Sequence, residues 1–126
     1  MTPGSESLLA DRIAEVDEWL DGGVSALYAA QPCAQHWARV AKVTEEAGEA
    51  IAALIAWTGQ NPRKEQRPEA KGEMLDELAD TAITAILGMQ HFVKDGDETL
   101  RLVLARFEFL YERMHAHQAK KALHGF

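Results

Sequence analysis

The sequence predicts an all-α protein, a four-helix-type bundle, and three observations carry that expectation. Alanine, leucine and glutamate dominate the chain, which favours helix. Runs of valine, isoleucine and aromatic residues, the mark of strands, are scarce. Apolar residues instead recur at three- and four-residue spacing in long segments separated by short Gly- or Pro-bearing breaks.

Taken in order, Leu9, Ile13, Val16 and Leu20 form the stripe of a first helix, and Gly22-Gly23 is its expected stop. A short helical piece over Val24–Ala30 follows, punctuated by Pro32. A second helix is expected from about His36 to Thr58, striped by Val40, Val43, Ala47, Ile51 and Leu54 and stopped by Gly59. Gly59 to Arg67 reads as a loop, and Pro68 suits the first turn of a third helix, where a missing N–H costs nothing. That helix is expected to turn Met74, Leu78, Ala82, Ala85, Met89 and Phe92 inward and to end near Lys94-Asp95-Gly96. Asp97 is the expected N-cap of a fourth helix, with Leu100, Val103, Leu104, Phe107, Leu110, Tyr111 and Met114 on its buried side. From His115 onward a frayed tail is expected, as is a flexible stub at the N-terminus. The 126 residues are read as one domain, 1–126, without internal repeats.

Composition narrows the function. Twenty acidic residues stand against 13 basic ones, for a net charge of -7, which argues against an electrostatic grip on a nucleic-acid backbone. A nucleotide substrate remains compatible, because a divalent cation offsets local acidity and bridges to phosphates. The single cysteine, Cys33, excludes an internal disulfide and has no activating neighbours, so it reads as a buried or incidental thiol. No basic-then-apolar leader and no membrane-spanning run is apparent, so no membrane partner and a cytoplasmic location are expected.

The acids are patterned. Lys42, Glu45, Glu46 and Glu49 fall within one sector of the second helix, and Glu73, Asp76, Glu77 and Asp80 share one face of the third. Both faces are expected to lie opposite the apolar stripes. Each presents an i, i+3 carboxylate pair, Glu46 with Glu49 and Glu77 with Asp80. One acidic face alone reads as solvated surface. Two matched faces on consecutive antiparallel helices concentrate like-charge repulsion that a divalent cation would turn into ligation. Four carboxylates without histidine or cysteine make a hard oxygen site, suited to Mg²⁺ or Mn²⁺ rather than Zn²⁺.

Glu45-Glu46-Ala47-Gly48-Glu49 followed by Glu77-Leu78-Ala79-Asp80 resembles the EExxE…ExxD signature of the all-α nucleoside triphosphate pyrophosphatases. That superfamily contains MazG, the dimeric dUTPases and the phosphoribosyl-ATP pyrophosphatases. The segments from Lys42 to Ala50 and from Asp76 to Asp80 resemble MazG-like proteins most closely, and the resemblance covers about residues 36–111. It implies a MazG-like fold and Mg²⁺-dependent hydrolysis of a nucleoside triphosphate to a monophosphate and pyrophosphate, in nucleotide-pool housecleaning. It further implies Glu46, Glu49, Glu77 and Asp80 as metal ligands, Glu45 as the residue that orients or deprotonates water, and Lys42 and Arg106 as phosphate contacts. Many relatives carry Asn and Lys before a Phe on the last helix; here Arg106 precedes Phe107 and Leu104 stands in place of the Asn.

Other features carry less. His36 and His91 stand alone in the sequence, His115 and His117 cannot share a helical face, and all read as structural or solvated. Trp37 and Trp57 read as core or interface packing. The basic Arg63, Lys64 and Arg67 either solvate their loop or close it over bound phosphates. The competing functions are a non-catalytic nucleotide- or partner-binding bundle and a di-iron carboxylate bundle, the latter disfavoured by the lack of Glu-x-x-His pairs. Leu75, Ile86 and Val93 widen the apolar sector of the third helix beyond what one neighbour covers. The first helix or a second copy of the chain would cover it, and the resemblance favours a homodimer or homotetramer.

Overall fold

In a computed structural model, which describes residues 4–125, the chain forms four α-helices and, among the described residues, no strand: α1 Ser5–Tyr28, α2 Pro32–Thr58, α3 Ala70–Val93 and α4 Gly96–His124. Met1–Pro3 of the expected N-terminal stub lie outside the described residues. α2 and α3 form an antiparallel hairpin that is the largest packing unit; α1 packs on α3 and the start of α4, and touches α2 lightly.

Several helix ends depart from expectation. α1 runs straight through Gly22-Gly23 to Tyr28 and absorbs the piece expected to be separate. Each glycine costs a helix interior about 1 kcal/mol. That cost is tolerable here, because Asp17 and Asp21, one turn earlier, anchor α1 by ion pairs and the next residues again favour helix. α2 starts at Pro32 rather than His36, since proline is preorganised for a first turn. α3 starts at Ala70, leaving Pro68 in the turn before it. Lys94 ends α3 in the left-handed region (φ 60°), its N–H bonded to the Gln90 carbonyl at 2.8 Å. Asp95, not Asp97, caps α4, its carboxylate accepting from the Glu98 N–H at 2.8 Å. The expected frayed tail is helical to His124 and closes on Gly125. Gly96 is required by contact: a Cβ there would collide with the Ala10 carbonyl of α1.

The largest correction concerns which faces pack. The α2–α3 seam is built from small and polar residues. Ala50, Ala53 and Gly88 are buried, and Thr81 and Thr84 half-buried, whereas Leu78, Ala82, Ala85 and Phe92, expected inward, are exposed. A Cβ on Gly88 would lie 3.8 Å from the Arg39 carbonyl, a measure of how closely the two helices approach. Glu46 and Glu77 are only partly exposed on this same seam. The acids therefore do not lie opposite the packing face; they share it. Short side chains let the backbones come together there, and the bulky apolar stripe is what remains outside.

Candidate metal centre

Midway along the α2–α3 hairpin, Glu46, Glu77 and Asp80 bring carboxylate oxygens within 4.8 Å of one another. Glu49, one turn along α2 from Glu46, lies near enough for its charge to act on the Glu77 carboxyl. All four acids of the two i, i+3 pairs thus converge on Glu77. Partial burial and the charges of Glu49, Asp80 and Glu46 push the Glu77 carboxyl above its ordinary range. Carboxylates this close repel unless a proton or a cation stands between them.

Among the described residues, Lys42 is the one cation paired with this group. Its Nζ lies 2.9 Å from Glu45 and 3.0 Å from Glu46, and these bonds raise its affinity for its proton. The Glu46 side chain is 13% exposed and the Glu45 side chain 58%, so Glu45 stands on the solvent side of the cluster. Arg106 is not brought to the carboxylates of its own chain. It lies on an exposed stretch of α4, over the Phe109 ring at 4.6 Å, and α4 does not touch α2 among the described residues.

Beside Glu49 and Glu77 opens a concavity of about 750 Å³, floored by Ala52, Ala53 and Ala56 of α2 and walled by Asn61, Lys64 and Arg67 of the α2–α3 loop. The loop is tied down: Gln66 donates to the Trp57 carbonyl at 2.8 Å and the Arg67 N–H to the Ala56 carbonyl at 2.9 Å. Arg67 is already engaged in a two-pronged bond with Glu73, at 2.9 and 2.7 Å, which leaves Lys64 as the less committed cation of this wall. Sequence reading found the loop cations but missed the floor. The Ala-rich run Ala50–Ala56 reads as helix propensity, and only its place against α3 makes it a recess.

A second charged group at the other end of the seam was also missed. Asp17, 2% exposed, pairs with Arg39 and accepts from Lys94 at 3.1 Å; Asp21 accepts from Lys94 at 2.7 Å and from Gln35 at 2.8 Å. Burial opposes the charge on Asp21, but Lys94 and Arg39 outweigh it and hold its carboxyl below the ordinary range. His36 and His91 do not stand alone: His36 Nδ1 and His91 Nε2 share a hydrogen bond of 2.7 Å. Burial and the neighbouring Lys94 push His91 down, towards the neutral form. Two carboxylates here meet two cations; Asp17, Asp21 and His91 also bring ligand atoms within 4.8 Å of one another, and the buried Arg39 Nε and His91 Nδ1 have no hydrogen-bond partner among the described residues. Trp57 packs under Lys71, whereas Trp37 is 78% exposed, and Cys33 is exposed rather than buried.

No family model matches the chain, and no similar protein was found among curated proteins or solved structures. Among the described residues, no helix is long and apolar enough to cross a membrane.

Proposed function

We propose that this chain is a Mg²⁺-dependent nucleoside triphosphate pyrophosphohydrolase of MazG-like fold, converting a nucleoside triphosphate and water to a nucleoside monophosphate and pyrophosphate. The observation that carries the reading is the convergence of Glu46, Glu77 and Asp80 within 4.8 Å, with Glu49 beside Glu77. The donor set fits the metal: carboxylate oxygens alone, from facing helices, suit Mg²⁺ or Mn²⁺. Burial and the charges of Glu49, Asp80 and Glu46 raise the affinity of Glu77 for a proton, and a divalent cation would relieve the repulsion among these acids. When bound, the ion supplies charge neutralisation for the phosphates and the leaving pyrophosphate.

The remaining work falls to the chain. Glu46, Glu49, Glu77 and Asp80 would hold the ion, and the alanine-floored recess beside Glu49 and Glu77 would take the nucleoside of a triphosphate bound to it. Glu45, outside the ligand group but one residue from it, orients a water and takes its proton. The water oxygen bonds to one phosphorus of the α–β bridge as the bridging P–O bond breaks. Lys42, which now bonds Glu45 and Glu46, turns to a phosphate oxygen when substrate arrives, freeing Glu45 to act as base. Lys64 faces the recess from the loop and adds a second cation for the polyphosphate.

Pyrophosphate release over a panel of ribo- and deoxyribonucleoside triphosphates, with and without Mg²⁺, tests the reading. Metal-dependent release with at least one substrate is expected. Nucleotide binding without turnover across the panel would overturn it in favour of a non-catalytic binding bundle.

A further inference from the structure

Two carboxylates of α1 and an imidazole of α3 face one another away from the hairpin carboxylates. Asp17, Asp21 and His91 bring ligand atoms within 4.8 Å of one another. The group is deeply set: the Asp17 side chain is 2% exposed and that of His91 5%. His91 directs Nδ1 at Asp21, 3.6 Å from its Oδ1, too far for a hydrogen bond. That nitrogen has no hydrogen-bond partner among the described residues. A buried polar atom left in this way is costly and asks for a ligand.

The other ring nitrogen narrows what the ligand is. His36 Nδ1 and His91 Nε2 lie 2.7 Å apart and share one proton. With the proton on His36, His91 carries its own on Nδ1 and buries a donor without an acceptor. With the proton on His91, Nδ1 turns a bare lone pair towards a carboxylate. A metal ion answers the second arrangement. Bonded to Nδ1, it would also hold the proton on Nε2, where His36 accepts it. Burial and the nearby Lys94 already push His91 towards the neutral form that binds metals.

The place of such an ion is held by a side chain that can leave. Lys94 Nζ lies 3.1 Å from Asp17 Oδ2 and 2.7 Å from Asp21 Oδ2, yet the Lys94 side chain is 53% exposed. Swinging the ammonium into solvent frees one oxygen of each acid. The other oxygens stay held, Asp17 Oδ1 by Arg39 and Asp21 Oδ1 by Gln35 at 2.8 Å. Ligands fixed by outer hydrogen bonds of this kind are what metal sites use.

We propose that Asp17, Asp21 and His91 form a second cation site, for Zn²⁺, in which the metal displaces the Lys94 ammonium and ties α1 to α3. Two carboxylates with an imidazole make a mixed oxygen and nitrogen donor set, which suits Zn²⁺ rather than Mg²⁺. Tetrahedral Zn²⁺ sets its ligand atoms roughly 3.4 Å apart. Atoms already within 4.8 Å need only small side-chain rotations to reach that spacing. Solvent on the Lys94 side supplies a water for the fourth position. The site uses none of the hairpin acids, so it stands or falls independently of the enzymatic reading.

Calorimetric titration of Zn²⁺ into the Asp80→Ala chain, in excess Mg²⁺, tests the site with the hairpin carboxylates weakened. One Zn²⁺ per chain is expected, and His91→Gln should lower its affinity about 100-fold or more. Lys94→Ala should raise the affinity about tenfold, because no ammonium competes for the acids. In chemical denaturation, Zn²⁺ but not Mg²⁺ should restore the stability that Lys94→Ala loses. Absence of Zn²⁺ binding would overturn the proposal and leave a plain ion-pair latch. Binding that His91→Gln does not weaken, or that Lys94→Ala does not strengthen, would refute it as well. Where circular dichroism shows that His91→Gln has lost helix, Asp21→Asn, at a side chain 27% exposed, takes its place with the same readout.

Discussion

The α1 end of the α2–α3 seam and its middle handle negative charge differently. Near the α1 side, Asp17 and Asp21 meet Arg39 and Lys94, and each acid has a cation in the same chain. At mid-hairpin, Glu46, Glu49, Glu77 and Asp80 face one another, with Lys42 engaging Glu46 from one side. In the first arrangement Lys94 and Arg39 hold the Asp21 carboxyl below its ordinary range. In the second, burial and the charges of Glu49, Asp80 and Glu46 raise the proton affinity of Glu77.

That contrast sets the expected responses to substitution. The largest belongs to the unbalanced group: Asp80→Ala or Glu49→Ala should lower turnover about 1,000-fold or more, equivalent to roughly 4 kcal/mol of transition-state stabilisation. Folding in metal-free buffer should be unchanged or slightly improved, since like charges are removed. Calorimetry should show Mg²⁺ affinity falling in both variants, and unchanged affinity would remove these residues from the site. In the balanced group the effect should be on folding instead. Asp17→Asn leaves Arg39 and Lys94 without one of their acids and should cost about 3 kcal/mol in chemical denaturation. The lower end of the range applies because the Lys94 side chain is 53% exposed. Its loss should not depend on Mg²⁺; a loss that Mg²⁺ repairs would merge the two groups into one.

Glu45→Gln should reduce kcat about 100-fold while leaving Mg²⁺ binding in place. A kcat near that of the parent would show that Glu45 is not the base. The smallest difference is in response to pH. Glu77 in the folded chain sits above its ordinary value of 4.5, so the metal-free protein binds more protons folded than unfolded in that range. Its contribution favours folding below 4.5 and is lost as pH rises through the folded value. Asp21, held below its ordinary 3.8, contributes in the opposite sense: stabilising above 3.8, lost as pH falls. Saturating Mg²⁺ should erase the Glu77 response and raise stability by about 2.7 kcal/mol at a hundred times its Kd. Denaturation series across pH, with and without Mg²⁺, separate the two; parallel curves would mean that no ion reaches Glu77.

Much of this was legible before any coordinates. Four helices, the Gly59 stop and the two acid pairs follow from periodicity and from the residue types at the breaks. The orientation of the helices did not follow. Periodicity reveals that a helix has two faces but not which one meets its neighbour. In α3 the bulky stripe through Leu78 and Ala85 drew the inward assignment, while the actual contact was made by Thr81, Thr84 and Gly88, chosen by close approach rather than by hydrophobicity. The His36–His91 bond and the Asp17–Lys94 pair join residues far apart in sequence, and no local pattern announces them. Gly22-Gly23 misled for a related reason: a glycine pair stops a helix only when nothing beyond it and nothing beside it holds the chain.

Lys94 gives the molecule an order of assembly. The α2–α3 hairpin closes through an eleven-residue connection, from Gly59 to Glu69, and can form on its own local contacts. Asp17 and Asp21 must wait for an ammonium group 77 and 73 positions later, presented only when α3 has ended in its left-handed turn. On this separation α1 is expected to dock after the hairpin exists, with its ion pairs to Lys94 formed last. Weakening them should leave the folding rate nearly untouched and appear almost wholly as faster unfolding. The two charged groups would then differ in time as well as in chemistry, the carboxylates of the hairpin assembling early and the latch on α1 closing late.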